Sequence, residues 1–501
     1  MPTKAQGGDT PHAAKRVPLV LRATDFGPVT DGEISLKPFT LFIGPNNSGK
    51  SYVATLVHSI FESLTPRAPW GFHYWGHPDV RFDFTALLRE FPEQKRQLDE
   101  FKPGTEIELS PEFVSHVGHT IFQGIFERRL SDELIRSFAS PLKNLVRIGA
   151  RSFNLRIALD SYESSIIYQK RRLKLQAYPR VDLKLKVKCD LAARSITAVR
   201  RDAEITVDVG RWWREKPPRI GPVPGVLNIA LDLYVSKLLE SISAPCYYLP
   251  AARSGILQAH KALAASIVRK APYAGIEELE IPKLSGIVSD FISSLITLPS
   301  NRGKFFRLAQ RLERLLIKGE IVLRTASKGQ YPGIRYKFEN VEIPLQRSSS
   351  SVSELAPLLL YLKHIISPGT VLIIEEPEAH LHPEIQRILA RYLVRLVRGG
   401  ITLVLTTHSD YLLTQLNSFL LLSRVGPDRR VKLAGYEEKD FLRADEVGAY
   451  VFTSQARSGE RSITELKVTE DEGISDQEFL KVHEALYAES VKLQRELEPK
   501  E

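Results

Sequence analysis

Residues 44–51 carry the residue types that could bind a nucleoside triphosphate. They read Gly-Pro-Asn-Asn-Ser-Gly-Lys-Ser and fit the phosphate-binding pattern G-x-x-x-x-G-K-[ST]. Glycine at the first and sixth positions permits the tight backbone curl that turns successive N–H groups toward phosphate oxygens. In this pattern Lys50 reaches the β- and γ-phosphates and Ser51 binds Mg²⁺. The residues expected to contact the cofactors, ATP and Mg²⁺, are Gly44, Pro45, Asn46, Asn47, Ser48, Gly49, Lys50 and Ser51.

The chain on both sides of this loop supports the same interpretation. Residues 39–43 form an apolar run typical of a buried strand, and residues 52–61 have helical spacing. A loop in this position lies at the N-terminus of a helix, whose dipole favours anions. The alternative is an ordinary turn rich in glycine, asparagine and serine. The strand before the loop and the helix after it favour the phosphate site.

A pair of carboxylates far downstream could complete the site. Residues 371–374 are four large aliphatic side chains after a Pro-Gly turn, which predicts a fully buried parallel strand. The strand ends in Glu375 and Glu376. We assign Glu375 to the hydration shell of Mg²⁺, and Glu376 to the attacking water, which its carboxylate would orient and polarise. The alternative is a surface acidic turn.

A third polar group follows the next apolar run. Residues 401–405 predict a second strand, and an amphipathic helix over residues 384–397 connects it to the first. Two such strands are parallel, and open α/β sheets bind ligands at the carboxyl ends of their strands. His408 should therefore emerge beside Glu376, as a sensor of the γ-phosphate or a hydrogen-bond donor to it. The predicted catalytic residues are Lys50, Glu376 and His408.

These motifs resemble those of the ATP-binding-cassette (ABC) type of ATPase. The similarity is to its soluble branch, shared by chromosome-condensation, recombination-repair and overcoming-lysogenisation-defect proteins, and within it to AAA-family ATPases of the last kind. The segments that carry it are GPNNSGKS (44–51), IIEEPEAHLHP (373–383), TTHSDYLL (406–413), 21–28, 247–254 and 349–357. Both ends of the chain match well and the middle matches poorly.

The resemblance implies an α/β fold, with a P-loop NTPase core of ABC type and a large mixed helical and antiparallel β insertion. It also implies a head-to-head homodimer with two ATP molecules between the subunits, each touched by a serine-bearing signature of the other subunit. The matching segment is Arg347–Ser351, where Ser349 and Ser350 would face the γ-phosphate. Position 351 holds serine where the family has glycine, which leaves the contacting serine open. An ordinary N-capped helix is the alternative.

One position departs further from the family. The segment 247–254 begins as an apolar strand and breaks at Pro250, in the region where ABC ATPases carry a glutamine that links the metal to the inserted domain. No glutamine stands there. Arg253 either approaches phosphate in its place or is a solvated side chain at a strand end.

Composition narrows the class of protein. The chain has 501 residues, of which 43% are hydrophobic and 26% charged, as in ordinary globular domains. Its two cysteines fit a reducing compartment. We find neither an apolar run long enough for a membrane helix nor an apolar signal core, so we expect a cytoplasmic protein without a membrane partner. The net charge of +10 is compatible with DNA as a partner.

Basic residues concentrate at residues 170–175 and 184–188. Residues 183–188 alternate leucine or valine with lysine, which predicts a strand with one buried and one lysine-coated face. Lysines on an exposed strand edge prevent unwanted pairing, which is one interpretation of this run. A surface that faces nucleic acid is the other.

The long stretch between the two halves of the site is interpreted as an insertion into the ATPase core. We assign residues 1–61 to the N-terminal part of the core, 62–150 to a helical insertion, 151–216 to a β-rich insertion, 217–346 to a helical segment and hairpin, 347–460 to the C-terminal part of the core, and 461–501 to a helical tail. The tail lacks the Asp-x-Asp pair of the nuclease domain that overcoming-lysogenisation-defect proteins carry. The resemblance therefore implies an ATPase without that domain.

The residues and the resemblance together predict an ATP hydrolase. Its nucleotide-driven dimer closure would act as a switch in a genome-defence or DNA-repair type system, with a nuclease or other effector protein as a candidate partner. The alternative is a regulatory partner of nucleic acid or of a nuclease, in which ATP is mainly a conformational ligand. A transporter ATPase subunit is disfavoured by the long insertion and the missing glutamine.

Overall fold

The computed structural model describes residues 19–64, 88–100, 106–159, 162–179, 185–190, 195–200, 203–208, 244–259, 284–324, 333–433, 435–454, 460–475 and 477–497. All residues assigned to the nucleotide site lie within these ranges. Leu183 and Lys184 of the predicted lysine strand lie outside them.

The described strands are β1 (Val20–Phe26), β2 (Val29–Ser35), β3 (Phe39–Ile43), β4 (Glu106–Leu109), β5 (Phe153–Leu159), β6 (Tyr162–Gln169), β7 (Arg172–Pro179), β8 (Leu185–Asp190), β9 (Ser195–Arg200), β10 (Ala203–Asp208), β11 (Cys246–Leu249), β12 (Glu320–Arg324), β13 (Gly333–Phe338), β14 (Val341–Pro344), β15 (Val371–Glu375), β16 (Thr402–Thr407), β17 (Val447–Ser454), β18 (Arg461–Leu466), β19 (Val468–Thr469) and β20 (Gly473–Ile474). The described helices are α1 (Lys50–Leu64), α2 (Pro92–Asp99), α3 (Pro111–Phe138), α4 (Gly286–Ile296), α5 (Phe306–Leu316), α6 (Ser350–His364), α7 (Pro383–Arg398), α8 (Asp410–Ser423), α9 (Pro427–Lys432) and α10 (Gln477–Leu497).

One large sheet organises the fold, in the order β11-β15-β16-β3-β17-β18-β2-β1-β5-β6-β7. From β11 to β17 neighbouring strands are parallel, and from β2 to β7 they are antiparallel. The phosphate-loop strand and the carboxylate strand both belong to the parallel half. The predicted α/β class with a phosphate-loop core is therefore confirmed. The sheet continues through residues 153–179, which we had assigned to an inserted unit; the domain boundaries themselves stay predictions.

The central strands of the parallel half are buried along their whole length because helices cover both faces of the sheet. Every residue of β3, β15 and β16 is buried. Alternate side chains enter opposite cores: Phe42 and Ile373 pack with residues of α1 and α3, whereas Leu41 and Ile374 pack with residues of α6, α7 and α8. Because both faces are buried, the packing fixes where each strand ends along the sheet. It therefore also fixes the position of the polar residues that follow each strand.

The described residues form three smaller sheets outside the main one, the smallest of which pairs β19 with β20. The predicted hairpin over residues 320–344 forms the three-stranded sheet β12-β13-β14. The second small sheet has the order β10-β9-β8-β4, so β8 has a neighbour on each side. The interpretation of the lysines of residues 183–188 as protection of an exposed strand edge is therefore wrong for β8, which pairs with β4 through residues 185–188.

The C-terminal segment 461–501, predicted to be helical, begins with strands. β18 pairs with β17 and β2, and Ile463 fills the space above Gly32, where an added Cβ would lie 2.4 Å from it. The helix α10 begins only at Gln477. None of the described helices is both long enough and apolar enough to cross a lipid bilayer.

Candidate active site

The predicted site residues converge where β15, β16 and β3 end. β16 lies between the other two strands and is parallel to both, pairing Thr406 with Glu375 and Thr407 with Ile43. The carboxylate strand is therefore one strand away from the phosphate-loop strand instead of directly beside it. This order puts His408, which follows β16, between the loop and the twin glutamates.

The loop after β3 has the backbone shape that the sequence pattern predicts. Gly44 and Gly49 have φ of +143° and +110°, in a region that favours glycine. A Cβ at Gly44 would also lie 2.3 Å from the carbonyl oxygen of Phe452. The hydroxyl of Ser48 is buried, and no hydrogen-bond partner for it stands among the described residues. The loop is thus a narrow cradle that opens at the N-terminus of α1.

Lys50 is a buried cation at the centre of the site. Only 5% of its surface is exposed, and its ammonium donates to the carbonyl oxygens of Gly44 and Pro45, both at 2.8 Å. Burial lowers the pKa of Lys50 to about 8, although the carboxylates of Glu376, Glu378 and Glu375 act in the opposite direction. The phosphate-binding lysine therefore lies within electrostatic reach of the acidic group beyond β15.

The two glutamates assigned from the sequence differ in their surroundings. Glu375 is buried, and its Oε2 accepts from the N–H of Ala251 at 3.1 Å. Its Oε1 has no hydrogen-bond partner of normal geometry among the residues that the structure describes. The side chain of Glu376 is 40% exposed and lies 3.5 Å from Nε2 of His408. Glu375 thus has a spare buried oxygen for a cation, and Glu376 is open to water.

His408 is held as a neutral ring next to these charges. Burial lowers its pKa, and so does the positive charge of Lys50, while Glu376 opposes them. Because the ordinary value is about 6.5, the ring is mostly neutral at pH 7 and carries one N–H to donate. Lys50, Glu376 and His408 therefore form one electrostatic group, as the sequence predicts.

Glu378 also belongs to the candidate site, although the sequence motifs did not indicate it. Its buried Oε1 accepts from the hydroxyl of Thr407 at 2.6 Å and from the N–H of His408 at 2.9 Å. Burial raises the pKa of this carboxyl. Glu378 thus fixes the backbone that carries His408. The only sequence signal was a third acidic residue close after the pair.

The signature serines begin α6 as expected, but contact with a phosphate remains a prediction. Ser349 is the N-cap and accepts from the N–H of Val352, whereas Ser350 is exposed at the first helical position. The hydroxyl of Ser351 donates to the carbonyl oxygen of His380 at 2.7 Å. None of the described hydrogen bonds joins Ser349 or Ser350 to the phosphate loop of the same chain.

Arg253 is not a solvated side chain at a strand end, which was one of the two expectations for it. It is buried, and its guanidinium donates to the backbone carbonyl oxygens of Pro250, Glu375 and Glu376. Carbonyl groups at the end of a buried strand need donors, and this arginine supplies them.

The residues fit a magnesium-bound triphosphate. Four carboxylates interact with Arg253, three of which also interact with Lys50, so the ionised group has two more negative than positive charges. The spare oxygen of Glu375 and the hydroxyl of Ser51, in the first turn of α1, are the kinds of oxygen ligand that Mg²⁺ accepts. The glycine cradle leaves room for phosphate against backbone N–H groups.

Comparisons with known proteins agree with a nucleotide site. A family model described as an AAA ATPase domain matches residues 265–413, which include the twin glutamates and His408. No curated protein matches this chain.

Several solved structures are similar in outline. The crystal structure of an SmcHead bound to the C-winged helix domain of ScpA is 9% identical, with a TM-score of 0.37, and the alignment covers 89% of this chain and 97% of that one. An Smc head domain with an extended coiled coil, bound to the C-terminal domain of ScpA derived from Pyrococcus furiosus, is 12% identical (TM-score 0.35, 93% and 98% covered). The SMC head domain from Thermotoga maritima is also 12% identical (TM-score 0.29, 90% and 100% covered).

Proposed function

We propose that this chain is a magnesium-dependent ATP hydrolase of ABC type. The observation that carries the proposal is the convergence of a buried lysine with three glutamates and a neutral histidine where three parallel strands end. A cation for phosphate, a carboxylate with a spare oxygen for a metal, and an exposed carboxylate for water are the groups that phosphoryl transfer to water requires.

Each residue has a distinct proposed task. Lys50 and the backbone N–H groups of the loop hold the β- and γ-phosphates, and Ser51 with Glu375 holds the cation. The bound Mg²⁺ would neutralise charge that develops on the phosphate oxygens. Glu376, exposed and 3.5 Å from His408, orients the attacking water. His408 donates its single N–H toward the γ-phosphate.

The proposal extends to a homodimer that closes on ATP. Ser350 lies exposed at the start of the 15-residue helix α6, whose dipole favours an anion. The hydroxyl of Ser351 ties this turn to the segment after the twin glutamates. When Ser349 and Ser350 of one subunit bind a phosphate held by the other subunit, Ser351 would transmit this contact to the segment that follows Glu375 and Glu376 in the subunit of the serines. We infer that closure is a cytoplasmic switch in a genome-defence or DNA-repair type system, with a nuclease or other effector as its partner.

Dimer closure predicts that a non-hydrolysable ATP analogue with Mg²⁺ converts the protein from monomer to dimer. A hydrogen bond to a charged group contributes about 1.5–3 kcal/mol, and symmetry supplies two, so Ser350→Ala should raise the dimer dissociation constant about 100-fold or more. Analytical ultracentrifugation measures this constant. The Ser350→Ala substitution leaves the N-cap, Ser349, intact. The control is Ser289→Ala, which changes an exposed serine on α4. A dimer equally stable in both variants would contradict the role of Ser350.

One observation favours the second candidate, a nucleic-acid-binding partner. Lys170 and Arg171 form the turn between β6 and β7 with φ of +52° and +65°, and both are exposed, as are Arg172 and Lys174. Such turns prefer Asn-Gly, and left-handed backbone costs other residues about 1 kcal/mol each. The chain keeps two positive charges at the tip despite this cost.

The double substitution K170N/R171G should stabilise the turn and weaken DNA binding. Loss of two phosphate contacts should reduce the slope of log affinity against log salt concentration by about 2. Fluorescence anisotropy with duplex DNA at several salt concentrations measures the slope. An unchanged slope would exclude this tip as the DNA contact.

A further inference from the structure

Arg253 joins two elements of the site through buried contacts. The residue is 2% exposed, and its guanidinium donates to the carbonyl oxygens of Glu375 at 2.6 Å and Glu376 at 3.1 Å. Its Nε donates to the carbonyl oxygen of Glu354 on α6 at 3.1 Å and lies 3.1 Å from the carboxylate of the same residue. One guanidinium therefore connects the end of β15 to the helix that begins with the signature serines.

The backbone of Glu376 needs such support. Its φ of +43° lies in the left-handed region, which residues other than glycine rarely adopt. The peptide unit before Glu376 is held at its carbonyl by Arg253 and at its N–H by the carbonyl of Thr406, at 3.0 Å. The unit after Glu376 is held by Arg253 again. Together these bonds fix the direction in which the carboxylate of Glu376 leaves the backbone.

We propose that Arg253 is a positioning residue that orients the carboxylate of Glu376 toward the attacking water. Through Arg253, the orientation of this carboxylate also depends on the position of α6. This role rests on the proposed ATP hydrolysis. Ser350 and Glu354 are four residues apart and so share a face of α6. Movement of the serine end of α6 would therefore reach Glu376 through the pair of Glu354 and Arg253. Only arginine offers a planar fork with five donors for these acceptors.

The test is Arg253→Lys, which keeps the buried charge and its pairing with Glu354 but removes the fork. A misplacement of catalytic groups by about 1 Å can cost about 100-fold in rate, so kcat for ATP should fall at least about tenfold. The dissociation constant for ATP should stay within about threefold, because the phosphate loop is untouched. Equal losses in binding and in kcat would overturn the proposal.

A second measurement separates positioning from general damage. If Arg253 acts through Glu376, the substitution should not slow hydrolysis further in a Glu376→Gln background. A loss that multiplies with that of Glu376→Gln would overturn the proposal. If Arg253→Lys does not fold, Glu354→Gln takes its place, because it removes the counter-charge of the guanidinium. This variant should likewise not slow hydrolysis further in the Glu376→Gln background. A loss in rate that multiplies with that of Glu376→Gln would overturn the proposal equally.

Arg430 provides the matched control. It is another buried arginine, 4% exposed, that donates to the backbone carbonyl oxygens of Leu422 and Val425. Arg430→Lys should lower thermal stability without changing kcat. If Arg253→Lys lowers kcat no more than this control, the positioning role is refuted while the ATPase stands. If the wild type hydrolyses no ATP, the proposed function fails and the positioning role fails with it.

Discussion

Replacing Glu376 with glutamine should leave ATP bound and almost uncleaved. The amide keeps the shape of the side chain but cannot polarise the attacking water. General-base assistance contributes about 100- to 10,000-fold in rate, so hydrolysis should fall by a factor in that range. Binding should persist because Lys50 and the loop are unchanged. Phosphate release measures the rate, and chromatography of the nucleotide retained on the protein should show ATP in the variant and ADP in the wild type.

A glutamate outside the site gives the control for this prediction. Glu384 is exposed in the first turn of α7, close in sequence but not part of the acidic group around Lys50. Glu384→Gln should hydrolyse ATP at the wild-type rate. A Glu376→Gln variant that still hydrolyses ATP at that rate would remove Glu376 from the mechanism.

Replacing Lys50 with methionine should abolish tight ATP binding. The ammonium is already desolvated and would exchange two carbonyl acceptors for charged phosphate oxygens. Each hydrogen bond to a charged group contributes about 1.5–3 kcal/mol, so the dissociation constant should rise about 10- to 100-fold or more. Isothermal titration calorimetry measures the constant. Lys95→Met removes a surface lysine paired with Asp99 and should change nothing; similar affinities in the two variants would contradict the assignment.

The pKa of Lys50 gives the same prediction a dependence on pH. Its value of about 8 in the free protein means that the ammonium loses its proton above pH 8. Bound phosphate favours the charged form and raises the pKa, so binding above pH 8 takes up a proton and weakens as the pH rises. Between pH 7.5 and 9.5 the dissociation constant for ATP should rise about tenfold or more, and Lys50→Met should show no such rise. A flat profile in the wild type would place Lys50 away from phosphate.

The parts of the site that follow from the sequence have local signals. Residues 39–43, 371–374 and 401–405 are apolar apart from Thr40 and Thr402, as is typical of strands buried on both faces. The glycines of the loop indicate positions whose backbone angles only glycine adopts easily. Because parallel strands end at the same edge of a sheet, these signals were enough to bring Lys50, Glu376 and His408 together.

The parts that the sequence could not predict depend on distant partners. Arg253 donates to a carbonyl oxygen 122 residues away, and a backbone acceptor leaves no mark in the sequence. Glu378 gained its role only because the pairing of β15 with β16 brought Thr407 and His408 to it. β18 has one buried residue, Ile463, so its strand character came from pairing with β17 instead of from an apolar pattern.

Cleavage of the backbone by bound iron would test most directly whether the two halves of the chain form one pocket. Fe²⁺ in place of Mg²⁺, with ATP and a peroxide, generates oxidants that cut the chain beside the metal. If Ser51 and Glu375 hold the same cation, mass spectrometry should find cuts near residue 51 and near residue 375, both dependent on ATP and both lost in Lys50→Met. Cuts at only one of these positions, or cuts that do not require ATP, would contradict the shared site.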